Sequence, residues 1–154
     1  MSTPQPATFT VREGRDRYLC DNGFTLGGYL APTVTVRVVG IPLTIPNTPD
    51  RRKAIPWHDL HHVAAGYGTD WVGEGEIGAW EMRTGCPTLF IFALNATAAL
   101  FGCCLNPRRV LRAWVLAKGQ RSLYRHPIPY EALLAMPLGD LRAHLGMPAA
   151  GQTG

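Results

Sequence analysis

The segment from Thr88 to Leu105 contains eighteen consecutive residues without a charge, and it is the strongest single constraint on how this chain folds. A run of this length can form a buried helix, a short membrane span or a helix that lies on a membrane surface. Asn95 and several small residues lower its lipophilicity, and the chain has no second segment of this kind. We therefore expect a helix that packs inside the protein and lines an apolar groove, with a span and a surface helix as alternatives. The residues expected to line this groove are Phe90, Leu94, Asn95, Ala98 and Phe101.

The composition is that of a folded protein with one domain over residues 1–154. Hydrophobic residues make up 46% of the chain and charged residues 17%, enough to bury a core without disulfides or other staples. The net charge of +4 is dispersed, without a basic stripe that alternates with aromatic residues, so nucleic acid is not an expected partner. The polar segments 1–8 and 147–154 are expected to be flexible tails.

The cysteines and the first residues indicate the compartment. The four cysteines lack the spacing of a metal knuckle, and two of them adjoin inside the apolar run, which favours reduced, buried thiols. Residues 1–8 lack the charged and then apolar order of a signal peptide. We expect a cytoplasmic protein, with the inner membrane surface as a further location.

Glycine and proline residues mark the ends of successive segments, and the pattern predicts a mainly α, compact helical domain with a small extended or β-like N-terminal element. A β-branched stretch at 33–39 predicts a strand that pairs with residues 43–45. The remaining segments predict helices at 12–21, from Pro56 to the Gly66 break, at 71–83, 88–105, 107–118, 130–136 and 138–145. Gly75 and Gly78, which weaken a helix, indicate close approach by a neighbouring backbone or a ligand.

A cluster of imidazoles and carboxylates lies around the Gly66 break. His58 and His62 are one helical turn apart and face the same way, whereas Asp59 reaches that face only from its edge. If the next helix folds back antiparallel, Glu74 comes level with His62 and Glu81 with His58. These are the ligand types that hold a divalent metal, so the spacing predicts a metal-binding helical hairpin.

Other interpretations of this cluster remain open at this point. The histidines could simply hydrogen-bond to the carboxylates in a solvated hairpin, and His61 could replace His58 as a ligand. Zinc-protease chemistry fits poorly because Asp59 stands where the longer glutamate base would be needed. Arg51, Arg52 and Lys53 could steer an anionic head group or be no more than a solvated charge run.

The segment from Ile55 to Arg83 resembles the ubiquinone (coenzyme Q) biosynthesis protein 4 family. The resemblance lies in His58-Asp59-x-x-His62, eleven intervening residues and Glu74, together with the link Gly66-Tyr67-Gly68-Thr69-Asp70. It implies an all-helical fold and the metal ligands His58, Asp59, His62 and Glu74. Additional ligands, or hydrogen-bond partners of ligands, are expected at Glu81 and His61. The chain is shorter than typical members, and residues 1–50 do not match the family pattern.

The resemblance also implies a chemistry. The family is implicated in replacing the C1 carboxyl of a prenylated hydroxybenzoate by hydroxyl, and in organising other quinone-synthesis enzymes. It implies one divalent metal ion here, zinc first and iron, cobalt or magnesium as alternatives. The expected partners are a hydrophobic small molecule or isoprenoid lipid, other biosynthetic enzymes and a second copy in a homodimer.

Two functions compete at this stage. The first is a metal-dependent decarboxylase or hydroxylase, of lyase or oxidoreductase type, acting on an apolar aromatic or prenylated substrate with Glu74 and Asp59 as catalytic groups. The second is a non-catalytic, metal-stabilised lipid-binding or scaffold protein of a biosynthetic complex. An open coordination position on the metal would favour the enzyme, and a closed one the scaffold.

Overall fold

The computed structural model describes residues 4–38 and 41–152. Within them the chain is mainly helical, with one small antiparallel sheet near the N-terminus, which confirms the predicted fold class. The helices are α1 (Val11–Asp21), α2 (Pro49–Ala65), α3 (Trp71–Thr84), α4 (Leu89–Leu105), α5 (Pro107–Leu116), α6 (Tyr130–Ala135) and α7 (Leu138–Leu145). The strands are β1 (Thr33–Val38) and β2 (Ile41–Pro46), paired in the predicted hairpin with Thr35 opposite Thr44. A single 3₁₀ turn at Leu26–Tyr29 precedes them.

The helix that carries the histidines begins seven residues earlier than predicted. Thr48 caps its first turn by accepting the backbone N–H of Arg51, and Pro49 occupies the first helical position, where its missing N–H is not needed. The helix continues through Pro56, which cannot donate to the carbonyl four residues before it. The consequence for the site is that Arg51 and His58 lie on one helix face, two turns apart.

A close crossing of α3 and α4 fixes the helices around the hairpin. A Cβ atom on Gly75 would lie 2.8 Å from the Cα of Gly102, and one on Gly78 would lie 2.7 Å from the carbonyl oxygen of Asn95. The two backbones approach so closely that only glycine fits, which confirms the close approach predicted for Gly75 and Gly78. The main core, centred on Trp80, Leu60 and Leu141, lies on the other side of α2 and α3.

Both ends of the described chain form hydrogen bonds with other parts of the protein. The backbone N–H of Gln152 donates to the carbonyl of Ala65, and Arg142 donates to the carbonyl of Ala149. At the other end, Gly139 donates its N–H to the carbonyl of Ala7. The remaining predicted tail residues, 1–3 and 153–154, and position 39 of the predicted strand lie outside the described residues.

Two expectations about the apolar run can be compared with the structure. The cysteines are free, but Cys86 alone is buried, while Cys103 is half-buried and Cys104 exposed. No helix in residues 4–38 and 41–152 combines the length and the hydropathy needed to cross a bilayer.

Candidate metal site

The link between α2 and α3 folds the two helices into the predicted hairpin. Gly66 ends α2 in the left-handed region, with a φ of 81° that favours glycine. Asp70 then caps α3 by accepting the backbone N–H groups of Val72 and Gly73. A Cβ atom on Gly73 would lie 2.1 Å from the carbonyl oxygen of Gly68, so glycine is required for the link to pack against the first turn of α3. The short link brings Glu74 back to the histidines.

The hairpin brings three potential ligands together. The Nε2 atoms of His58 and His62 are 3.1 Å apart, and each lies 3.6 Å from a carboxylate oxygen of Glu74. In a tetrahedral zinc site with bonds of about 2.1 Å, neighbouring ligand atoms are separated by roughly 3.4 Å. The group His58, His62 and Glu74 therefore fits a small divalent cation, with all its ligand atoms within 4.8 Å of one another.

The hydrogen bonds of the two rings fix which nitrogen is free. Nδ1 of His62 lies 3.1 Å from the carbonyl oxygen of Tyr67, which can only accept, so Nδ1 carries the proton. Nδ1 of His58 lies 3.0 Å from the carboxylate of Glu81 and donates to it in the same way. Both Nε2 lone pairs then point at each other across 3.1 Å, and such a pair is stable only with a cation or a proton between them. This arrangement is the usual orientation of metal-binding histidines.

Electrostatics around His58 favour a positive charge at this point. Burial disfavours the protonated ring, but the carboxylates of Glu81 and Glu74 outweigh it and raise the pKa of His58 well above its usual value. Burial likewise disfavours the charged form of Glu74, yet His62 and His58 hold the pKa of this carboxyl far below its usual range. The site therefore holds its carboxylate ionised and ready for a cation.

Glu81 connects the hairpin to its neighbours. Its side chain is fully buried, and its Oε1 accepts from His58, from His61 at 2.7 Å and from the hydroxyl of Tyr124 at 3.3 Å. Its Oε2 accepts from the amide of Asn95 at 2.7 Å. Burial would raise the pKa of Glu81, but His58 and His61 lower it far below the usual range. Glu81 is thus an ionised acceptor that orients His58 and does not belong to the three-residue group.

His61 is excluded from the three-residue group by its own hydrogen bonds. The backbone N–H of Leu123 donates to Nε2 of His61, so this nitrogen has no lone pair left for a metal. Nδ1 consequently carries the proton and donates to Glu81. Burial lowers the pKa of His61, against the opposing effect of Glu81, which agrees with a neutral ring. Of the two roles predicted for Glu81 and His61, the structure favours hydrogen-bonding partner over ligand.

Asp59 points to a different contact. Its carboxylate is buried and accepts from the hydroxyl of Tyr29 at 2.7 Å. Burial raises the pKa of Asp59, partly opposed by His58 and by the hydrogen bond from Tyr29. It lies close enough to influence the histidines electrostatically, but it is not one of the three converging side chains. A stacked ring, Tyr18, covers His62 with 5.6 Å between ring centroids.

Arg51 is a positively charged group beside the site. Its Nη1 atom is buried and has no hydrogen-bond partner among the described residues. Burial lowers the pKa of Arg51, while the charges of Glu74 and Asp59 oppose this shift. The sequence indicated three adjacent cations here without distinguishing them; the earlier start of α2 turns Arg51 towards His58, whereas Arg52 and Lys53 are exposed.

The residues predicted to line a groove on α4 do not share one environment. Phe90, Leu94 and Phe101 are exposed, Asn95 is buried against Glu81 as an amide in apolar surroundings requires, and Ala98 is half-buried. A half-open cleft of about 220 Å³ lies elsewhere, between α2 and residues 123–127. Its lining includes Trp57, Leu123 and Tyr124. Tyr124 connects this cleft to the site through Glu81, and the backbone of Leu123 connects it through His61.

No family model matches the chain, and no curated protein matches it. The resemblance to the quinone-biosynthesis family therefore rests on the motif alone. The geometry of the three-residue group is independent of that resemblance.

Proposed function

We propose that this protein is a divalent-metal-dependent enzyme that acts on an apolar aromatic or prenylated acid. The observation that carries the proposal is the pair of facing Nε2 atoms of His58 and His62, closed on one side by Glu74. Three protein ligands with a free position are typical of catalytic zinc sites, whereas structural sites use four. The side chains of His58 and Glu74 are 22% and 32% exposed, so a substrate can reach this edge.

The surrounding residues suit an anionic head group. A divalent ion held here would act as a Lewis acid that polarises a ring hydroxyl or carboxylate. Arg51, two turns from His58 on the same helix face, has a buried nitrogen without a hydrogen-bond partner among the described residues, which suits the carboxylate of the substrate. Glu81 accepts the hydrogen bond from Nδ1 of His58 and so keeps Nε2 directed at the metal position. Asp59, held by Tyr29, provides a second buried carboxyl whose raised pKa suits proton transfer.

We assign the reaction to the decarboxylase, hydroxylase or related lyase class and not to the hydrolases. The motif places Asp59 where a zinc protease needs the longer glutamate base, and the structure engages Asp59 with Tyr29. Zinc is the first choice of metal, with iron, cobalt or magnesium as alternatives. Quinone synthesis, work at the inner membrane surface and contact with other biosynthetic enzymes are the context that the motif resemblance suggests.

A non-catalytic scaffold is the second candidate function. The observation that favours it is the buried network of Glu81, which already ties α2 to α4 and to Tyr124. A metal on the hairpin would complete that network without any turnover. The two functions differ in the coordination of the metal: the enzyme keeps a position for substrate, and the scaffold does not.

Turnover of a defined acid separates these functions. The probe is a carboxyl-labelled prenylated 4-hydroxybenzoate, and the measurement is release of labelled carbon dioxide by the metal-loaded protein. Glu74→Gln should abolish release, while an analogue without the carboxyl still binds. Glu131→Gln, an exposed glutamate whose salt bridge to Arg12 lies outside the site, is the matched control and should retain it.

Full activity in the Glu74→Gln variant, or cleavage of esters and peptides by the wild-type protein, would reject the enzymatic assignment. Tight metal binding without any turnover of the labelled acid would favour the scaffold.

A further inference from the structure

The outer faces of α4 and α5 expose an unusual amount of apolar surface. Ten of the thirteen large hydrophobic side chains that are exposed in the described residues belong to these two consecutive helices. They are Leu89, Phe90, Phe92, Leu94, Leu100, Phe101, Leu105, Leu111, Trp114 and Val115, and together we call them the α4–α5 surface. Exposed apolar residues are normal when scattered, but a contiguous set indicates an interaction site.

The inner face of α4 is fully used by the protein itself. Its buried residues are Ile91, Asn95, Ala99 and Gly102. Asn95 and Gly102 contact α3, and Ile91 and Ala99 belong to small clusters of buried apolar residues. On the outer face Phe101 contacts the ring of Trp71, but Leu100 and Leu105 are 66% and 63% exposed. The helix is therefore anchored on one side and apolar on the other.

The chain segment that contains this surface carries no acidic residue of its own, although Glu76 of α3 pairs with Arg109 of α5. No Asp or Glu occurs between Glu81 and Glu131, and all eleven acidic residues lie outside residues 82–130. Seven of the fifteen Lys and Arg residues lie within that segment. Arg108 is exposed at the start of α5, and the guanidinium of Arg83 lies 5.3 Å from the ring of Trp114. Apolar side chains interleaved with cations and free of anions are the pattern of helices that lie on anionic lipid.

We infer that the α4–α5 surface docks onto the surface of a bilayer that contains anionic lipid. This deepens the membrane-surface location suggested in the proposed function, but it rests on a different set of residues and needs no metal. The apolar side chains would enter the boundary between head groups and acyl chains, and the arginines would contact lipid phosphates. With seventeen residues, α4 is only about 26 Å long, and its inner face packs on α3, so it lies on the bilayer and does not cross it.

A second copy of this chain fits the same surface less well. A symmetric contact would bring cations of one copy, such as Arg83 and Arg108, towards those of its partner, with no carboxylate from 82–130 to compensate. An anionic bilayer offers the opposite charge together with an apolar layer. The charge pattern thus favours lipid over self-association.

A vesicle sedimentation assay on the full chain tests the inference. The probes are vesicles of phosphatidylcholine alone and of phosphatidylcholine mixed with phosphatidylglycerol. The wild-type protein should partition onto the mixed vesicles, and added salt should weaken binding. The double variant Leu100→Gln/Leu105→Gln should bind the mixed vesicles at least about tenfold more weakly than the wild type, because two exposed apolar side chains are removed.

Matched variants distinguish binding through this surface from nonspecific adsorption to vesicles. Leu30→Gln removes a leucine outside the surface that is even more exposed, at 78%, and this variant should bind like the wild type. Arg108→Gln should weaken binding to the mixed vesicles about fivefold, whereas Arg17→Gln, on α1, should not. Circular dichroism of each variant checks that it is folded.

Three results would overturn the inference. One is equal vesicle binding by the double variant and the wild type; another is equal binding to vesicles with and without phosphatidylglycerol. The third is a concentration-dependent dimer that the double variant loses, without any vesicle binding, which would assign the surface to a second copy. His62→Ala, which tests the metal site, should leave vesicle binding unchanged, so failure here and failure of the proposed enzyme are distinguishable.

Discussion

Replacing Glu81 by glutamine tests whether the buried carboxylate orients the metal-binding histidine. The variant keeps the shape of the side chain but removes the charge that accepts the Nδ1 proton of His58 at 3.0 Å. The Gln oxygen can still face His58 and His61, and its amide then faces Asn95, whose own amide must turn to present its oxygen. The fold should therefore survive, while the bond to His58 changes from charge-assisted to neutral.

The expected loss concerns metal affinity. Partners that hold a metal-binding histidine typically contribute 10- to 100-fold in affinity. We expect zinc to bind Glu81→Gln about 10- to 100-fold more weakly, or roughly 1.4 to 2.7 kcal/mol in binding free energy. Competition with a zinc-binding chromophore measures this difference at constant pH and salt.

Glu76→Gln is the matched control. Glu76 lies on the same helix, is also buried and forms an ion pair with Arg109 of α5, not with the three-residue group. Its substitution removes the same charge and should leave zinc affinity within about twofold of the wild type. If Glu81→Gln binds zinc as tightly as the wild type, or if both variants lose affinity equally, the assigned role of Glu81 is incorrect.

Three further predictions follow from the structure. Zinc uptake near neutral pH should release about one proton, because the pKa of His58 is raised and its ring is protonated without metal. The dependence of the calorimetric heat of binding on the buffer measures this proton release. The affinity for zinc should also fall as the pH is lowered. Gly78→Ala should lower the free energy of unfolding in urea by about 1 to 2 kcal/mol, because the clash with the rigid carbonyl of Asn95 exceeds the helix-propensity gain of about 1 kcal/mol. A more stable variant would refute the close crossing of α3 and α4. Arg51→Gln should raise the KM for the labelled acid at least tenfold with little change in metal content, and an equal effect of the exposed Arg52→Gln would contradict the assignment.

Local rules in the sequence were sufficient to predict the hairpin. The spacing of His58 and His62 follows from helical periodicity, and Gly66 and Asp70 are strong end and start signals. Together they predicted that Glu74 returns to the level of His62, which the structure confirms. Asn95 was expected to need a hydrogen-bond partner in an apolar run, and it has one in Glu81.

The remaining features depend on contacts between distant parts of the chain. The hydroxyl of Tyr124 reaches Glu81 from 43 positions away, and no local pattern specifies that pairing. The predicted start of α2 at Pro56 is wrong: the helix begins at Pro49 and continues through Pro56, because a proline in a helix interior is tolerated where other packing compensates. The outer face of α4 is exposed because only one side of the helix contacts α3, which an unbroken apolar run does not reveal.

The most direct test of the central claim is an anomalous diffraction measurement on crystals grown with zinc. Data collected at the zinc absorption edge should show one strong peak within bonding distance of Nε2 of His58, Nε2 of His62 and the carboxylate of Glu74. The bonds should be about 2.0 to 2.2 Å, with a further position open to solvent. No peak at this place in zinc-saturated crystals, or a zinc ion bound by other residues instead, would contradict the account.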